Sequence, residues 1–237
     1  MTFIKKLTGY FSKAEIALWS VSVILIFASF FIFDRVSYLT LIASLIGVTS
    51  LIFSAKGNPI GQLLMVLFSI LYGIISYAFA YYGEMITYLG MTMPMAIVAL
   101  VSWLKNPYEG NRSEVRVNEI GKREALFLCA LTAAVTLAFY FILDFFKTAN
   151  IVPSTLSVAT SFIAVYLTFR RSPYFALAYA ANDIVLIILW VMASVYEVRY
   201  ISVVVCFAAF LVNDIYGYIS WQRMKIRQER TTNPSSL

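Results

Sequence analysis

Apolar stretches long enough to cross a bilayer recur along almost the whole chain, and most charged residues fall in the short segments between them. A helix rises about 1.5 Å per residue and needs about 20 residues to cross the hydrocarbon core. In that core each backbone amide must find its partner within the protein, which leaves helices or a closed barrel. Continuous apolar runs, rather than alternating ones, select helices. Eight spans follow, at 15–33, 38–54, 60–81, 85–103, 124–146, 153–169, 173–196 and 200–221, the second and sixth being short. Composition agrees: 61% of the 237 residues are hydrophobic and 13% charged, against about 25% charged in a soluble domain. The fold class is an all-α polytopic membrane protein.

The basic residues test the count. With eight spans, 15 of the 18 Lys and Arg residues fall on one side of the membrane, leaving Arg35, Lys147 and Arg199 on the other. The positive-inside rule then puts both termini in the cytoplasm. The same partition accounts for the net charge of +6 without a nucleic-acid partner. Lys5, Lys6 and Lys13 precede a first apolar run that lacks a small-residue cleavage site, so it reads as a retained span. The loop 104–123 falls on the cytoplasmic side, where the glycosylation pattern Asn111-Arg112-Ser113 is a chance match. The tail 222–237 is basic, then rich in Ser, Thr, Asn and Pro, and reads as disordered.

Several chemistries are excluded. The chain has no histidine, and Cys129 and Cys206 are lone residues in apolar runs, so no metal site, redox pair or cofactor is expected. Gly57-Asn58-Pro59-Ile60-Gly61-Gln62 is too short for a phosphate-cradling loop and lacks its lysine, which argues against ATP-driven transport. No nucleophile–base arrangement appears.

Spans 2–4 and 6–8 look like one unit used twice. Lys56-Gly57-Asn58-Pro59 follows the second span, and Arg170-Arg171-Ser172-Pro173 follows the sixth. Ser102-Trp103-Leu104-Lys105 closes the fourth, and Ser220-Trp221-Gln222-Arg223 closes the eighth. The spacing predicts a parallel 3+1+3 repeat with span 5 as the inverting linker and span 1 as an additional helix. The segments are 1–37, a first bundle 38–103, a loop and linker helix 104–152, a second bundle 153–221, and the tail 222–237.

Within this apolar frame, Asn182-Asp183 and Asn213-Asp214 stand out. A carboxylate at a helix centre costs roughly 2.5 kcal/mol or more, so it marks a functional site by default. Asp183 and Asp214 sit on antiparallel neighbours, each roughly 14–15 Å deep. Helical spacing puts Tyr179 and Trp190 on the Asp183 face, Tyr216 and Gly217 on the Asn213 face, and Tyr218 and Trp221 on the Asp214 face. Gly217 would allow a close approach. The first bundle offers Gln62, Tyr72 and Thr92, with Ser69 equivalent to Asp183, and Pro94 freeing a carbonyl near Gly90. Glu84 and Glu197 at the outer ends read as solvated, and Asp144 as an interface partner of Lys147. Carboxylates, amides and aromatic rings suit recognition of hydroxyls, amides and a cationic ring. Helix–helix glue and a proton relay are the competing readings of the same residues.

The motifs Gly57-Asn58-Pro59-Ile60-Gly61-Gln62, Tyr82-Gly83-Glu84-Met85, Met93-Pro94-Met95 with Trp103-Leu104-Lys105-Asn106, Ala181-Asn182-Asp183 with Trp190, and Asn213-Asp214-Ile215-Tyr216-Gly217 with Trp221 cover spans 2 through 8. In these the chain resembles the nicotinamide riboside transporter (PnuC) family. The resemblance implies a SWEET-like fold, a homotrimer in the bacterial inner membrane, and facilitated uptake of nicotinamide riboside or a close nucleoside-like vitamin that is trapped by phosphorylation. The W-x-x-W pair associated with nicotinamide riboside members is absent, since Trp19, Trp103, Trp190 and Trp221 are isolated. Thiamine, riboflavin and deoxynucleosides therefore stay open as substrates, as does proton coupling. A membrane enzyme acting on a lipid-linked substrate is the rival from another class. In the transporter reading, Asn182 and Asn213 bind amide or ribose groups, and Asp183 and Asp214 bind hydroxyls or balance charge. Tyr179, Trp190 and Tyr216 line the pocket, with Gln62, Tyr72 and Thr92 opposite.

Overall fold

A computed structural model describes residues 9–78, 81–148 and 150–232. Eight of its helices are long and apolar enough to cross a membrane. Helix α1 is Lys13–Ser29, continued by a π-helical turn Phe30–Asp34. Helices α2 and α3 are Tyr38–Ala55 and Pro59–Ala78. Helix α4 spans Tyr82–Lys105 and α5 is Lys122–Phe145. Helices α6 and α7 are Ile151–Phe169 and Tyr174–Ser194. A 3₁₀ turn, Val198–Tyr200, leads into α8, Ile201–Thr232.

Local chemistry explains the boundaries. Ser12 and Glu15 form a reciprocal capping box that starts α1. Pro94 has no N–H to offer the Gly90 carbonyl, and the helix answers with a π turn over Tyr88–Thr92. The turns after α2 and α6 are alike. Gly57 and Arg171 both take positive φ, 66° and 58°. Gly57 N donates to Ser54 O and Arg171 N to Thr168 O, and Asn58 N donates to Phe53 O and Ser172 N to Leu167 O, all at 2.9–3.0 Å.

Six helices pack in a closed ring: α2, α3, α4, α6, α7, α8 and back to α2. Within each set of three the middle helix touches both others, and the third helix of each set lies on the first of the other. Two tryptophans fasten those crossings. Trp103 Nε1 on α4 donates to Thr168 O at the end of α6 (2.9 Å), and Trp221 Nε1 on α8 donates to Ser54 O at the end of α2 (2.8 Å). Both rings are fully buried and meet at 5.4 Å, so they close the interior at this end rather than anchoring at a membrane surface. Helix α5 packs on α6, and α1 on α8 and α2.

The loop after α4 was not legible as structure. It holds a two-stranded hairpin, Pro107–Tyr108 with Asn111–Val115. The loop straps both matching turns: Val115 N donates to Gly57 O (2.9 Å) and Asn118 N to Arg171 O (3.0 Å). It also corrects the expected tail. Helix α8 does not end near Trp221 but continues to Thr232. Glu114 pairs with Arg227, Glu119 with Lys225, and buried Gln228 bridges Glu114, Val115 and Val117. Opposite charges and backbone partners from the loop thus hold a basic segment helical. Residues 233–237 of that tail, and Lys5 and Lys6, lie outside the described residues.

Candidate functional site

The carboxyls of Asp183 and Asp214 meet between α7 and α8, within hydrogen-bond reach of one another. They are 3% and 4% exposed, and Asp183 Oδ2 has no donor among the described residues. Seven residues along α7 from Asp183 stands Trp190, and seven along α8 from Asp214 stands Trp221. Because the helices are antiparallel, these rings lie on opposite sides of the pair, each about 10 Å away.

On one side, Trp221 packs against Trp103 and edge-on to Phe175 at 4.9 Å. On the other, Trp190 Nε1 donates to the Tyr72 hydroxyl (2.7 Å). Its ring lies 4.8 Å from Tyr81 and 5.5 Å from Tyr200, while Tyr72 and Tyr88 are 4.4 Å apart. Beside these rings, a void of about 10 Å³ lined by Ser44, Phe68, Tyr72, Cys206 and Phe207 among others is at the lower limit for a single water. The carboxyl pair is therefore enclosed between two aromatic layers.

Of the other expected residues, Tyr179 lies near both carboxyls. Thr92, on the π turn, is buried with its hydroxyl unpartnered among the described residues. Four residues are instead engaged with the protein. Asn182 Oδ1 accepts from Thr160 Oγ1 (2.8 Å) and Ser161 Oγ (3.0 Å) on α6. Asn213 Nδ2 donates to Ser22 Oγ on α1 (2.9 Å) and to Ala209 O (2.8 Å), while its Oδ1 is buried without a partner among the described residues. Tyr216 donates to Glu15 on α1 (3.1 Å), and Gln62 donates to Ser54 on α2 (3.3 Å). Neighbours on a helix differ by about 100°, so an Asp turned inward leaves the preceding Asn facing the next helix.

Three expectations change. Gly217 gives no unusually close approach, since a Cβ there would sit 3.5 Å from Ala176, whereas one on Gly61 would lie 2.6 Å from Ser54 N. Glu84 is not solvated but 1% exposed. Asp144 and Lys147 are joined through the backbone, Lys147 N donating to Asp144 O at 2.9 Å. Glu84 belongs to the polar interior, against its reading as solvated, and Tyr88, one turn along α4, is buried there with it. The available signal was that Glu84 begins a span whose next turns carry Tyr88 and Thr92 on neighbouring faces.

Residues 37–223 match the profile of a family described as nicotinamide mononucleotide transporter. The chain is similar to a nicotinamide riboside transporter PnuC from Neisseria mucosa, 27% identical over 225 residues, covering 93% of this chain and 85% of that protein. Its fold is similar to that in a crystal structure of the vitamin B3 transporter PnuC, with a TM-score of 0.83 and 23% identity, over 95% of this chain and 97% of the other.

Proposed function

This chain belongs to the nicotinamide mononucleotide transporter family, and from that premise we propose that its solute is nicotinamide riboside. The observation that carries this choice is the charge of the interior. Asp183 and Asp214 are buried between aromatic layers, and among the described residues no Lys or Arg is buried. The riboside has a cationic pyridinium ring and ribose hydroxyls, which carboxyls and aromatic faces accept. The mononucleotide adds a phosphate, which two carboxyls and no cation would repel.

Asp183 and Asp214 bind hydroxyls or balance the ring, with Tyr179, Tyr72, Trp190 and Thr92 lining the space. Asn182, Asn213, Tyr216 and Gln62 hold the helices that present them. The two three-helix sets form a parallel repeat, an inference supported by the matching turns and the reciprocal tryptophan bonds. Transport is facilitative, by rocking of the two sets around the enclosed pair. The basic residues clustered at the strapped end support its placement in the cytoplasm with both termini. A homotrimer is proposed from the sequence resemblance alone.

The test is a binding screen on purified protein by isothermal titration. Nicotinamide riboside is expected to bind, and the mononucleotide at least about tenfold more weakly, a difference of 1.4 kcal/mol. Tighter binding of the mononucleotide, thiamine, riboflavin or a deoxynucleoside would overturn the assignment.

A further inference from the structure

Outside the carboxyl pair, the least satisfied polar group in the described interior is Glu84. It is 1% exposed, and neither carboxyl oxygen completes a hydrogen bond among the described residues, although the Ser157 hydroxyl lies beside it. The position is fixed by packing. A Cβ on the preceding Gly83 would come within 2.7 Å of Thr148 and 2.9 Å of Leu143, so α4 begins pressed against the end of α5. A buried carboxyl without an ionic partner is costly, and none of the ion pairs among the described residues involves Glu84.

Tyr72, Tyr81 and Tyr88 are within electrostatic reach of Glu84. Tyr88 reaches Asp183 as well. The rings of Tyr72 and Tyr88 lie 4.4 Å apart and those of Tyr81 and Trp190 4.8 Å apart, and Tyr88 stands one helical turn along α4 from Glu84. An inorganic cation asks for a shell of oxygen ligands. A carboxyl flanked by aromatic rings suits a flat organic cation.

We propose that Glu84, with Tyr72, Tyr81 and Tyr88, forms a second binding station for a cationic aromatic ring, next along the route to Asp183 and Asp214. This rests on the nicotinamide riboside reading above. At this station Glu84 selects for positive charge, and Tyr88 hands the ring from one carboxyl station to the other.

The experiment measures initial uptake by full-length protein in proteoliposomes. The probes are nicotinamide riboside and its reduced dihydro form, which has nearly the same shape but no ring charge. The readout is the ratio of the two rates. Glu84→Gln is expected to lower the ratio, cation over neutral, at least about tenfold, as loss of a charged partner does. Glu84→Asp, which keeps the charge, should hold the ratio within about threefold of wild type, and it serves if the Gln variant does not fold. An unchanged ratio in Glu84→Gln, whatever the absolute rates, overturns the station. So does a fall in Glu84→Asp matching that of the Gln variant. A wild type that takes up neither compound overturns the substrate reading first, and the station with it.

Discussion

The turns joining α2 to α3 and α6 to α7 carry the same backbone hydrogen bonds, yet ten residues past each turn's proline stands Ser69 in one set and Asp183 in the other. Counted from the tryptophans, Ala96 stands where the second set has Asp214. The tryptophan bonds are reciprocal, Trp103 to Thr168 O and Trp221 to Ser54 O. The first set departs in its own way, through the π turn at Tyr88–Thr92 and through Glu84. A shared frame thus holds unlike interiors. Backbone geometry at the ends sets how the two halves meet, and side chains at mid-depth are free to specialise.

The largest expected effect separates those interiors. Asp183→Ala or Asp214→Ala should weaken nicotinamide riboside about tenfold to a hundredfold, as loss of a charged hydrogen-bonding partner does. Ser69→Ala, ten residues past Pro59 as Asp183 is past Pro173, should change affinity less than about twofold, because its hydroxyl is spent on Met65 O at 2.8 Å. Equal losses by isothermal titration would break the comparison.

Packing should differ next. Gly61→Ala forces a methyl to within 2.3 Å of Ser54 Oγ and 2.6 Å of its backbone nitrogen, and should cost roughly 1–3 kcal/mol. Gly217→Ala meets only ordinary contacts at 3.5 and 3.9 Å and should be near neutral. Thermal unfolding in detergent ranks the two.

The tryptophans should behave alike. Trp103→Phe and Trp221→Phe each remove one buried N–H bond and should each cost about 1 kcal/mol. A large disparity in the same assay would show that only one crossing is fastened. The smallest effect belongs to Asn213→Ala. Losing its bond to Ser22 on α1 should cost about 0.6 kcal/mol and leave affinity within about twofold. A collapse of binding there would return Asn213 to the solute.

Much of the frame was legible. Eight spans could be read because each must satisfy its own amides in an apolar solvent. The like turns showed in Gly57-Asn58-Pro59 and Arg171-Ser172-Pro173, and the common depth of Asp183 and Asp214 in their distances from the helix ends. The facing of Asn182 and Asn213 was not legible, since a helix apolar all round gives no stripe to tell interior from lipid. Nor was the burial of Glu84, which depends on α4 pressing against α5.

The sequence by itself determined the helices, their number and the shared level of the inner carboxyls, because these follow from local hydrogen bonding and rise per residue. The tertiary structure alone decided that the Asp side chains face each other while the Asn side chains bind helices together, that the loop straps both turns, and that the last helix runs on to Thr232. Those outcomes depend on which surfaces meet, and contacts between distant segments leave no periodic trace in the chain that makes them.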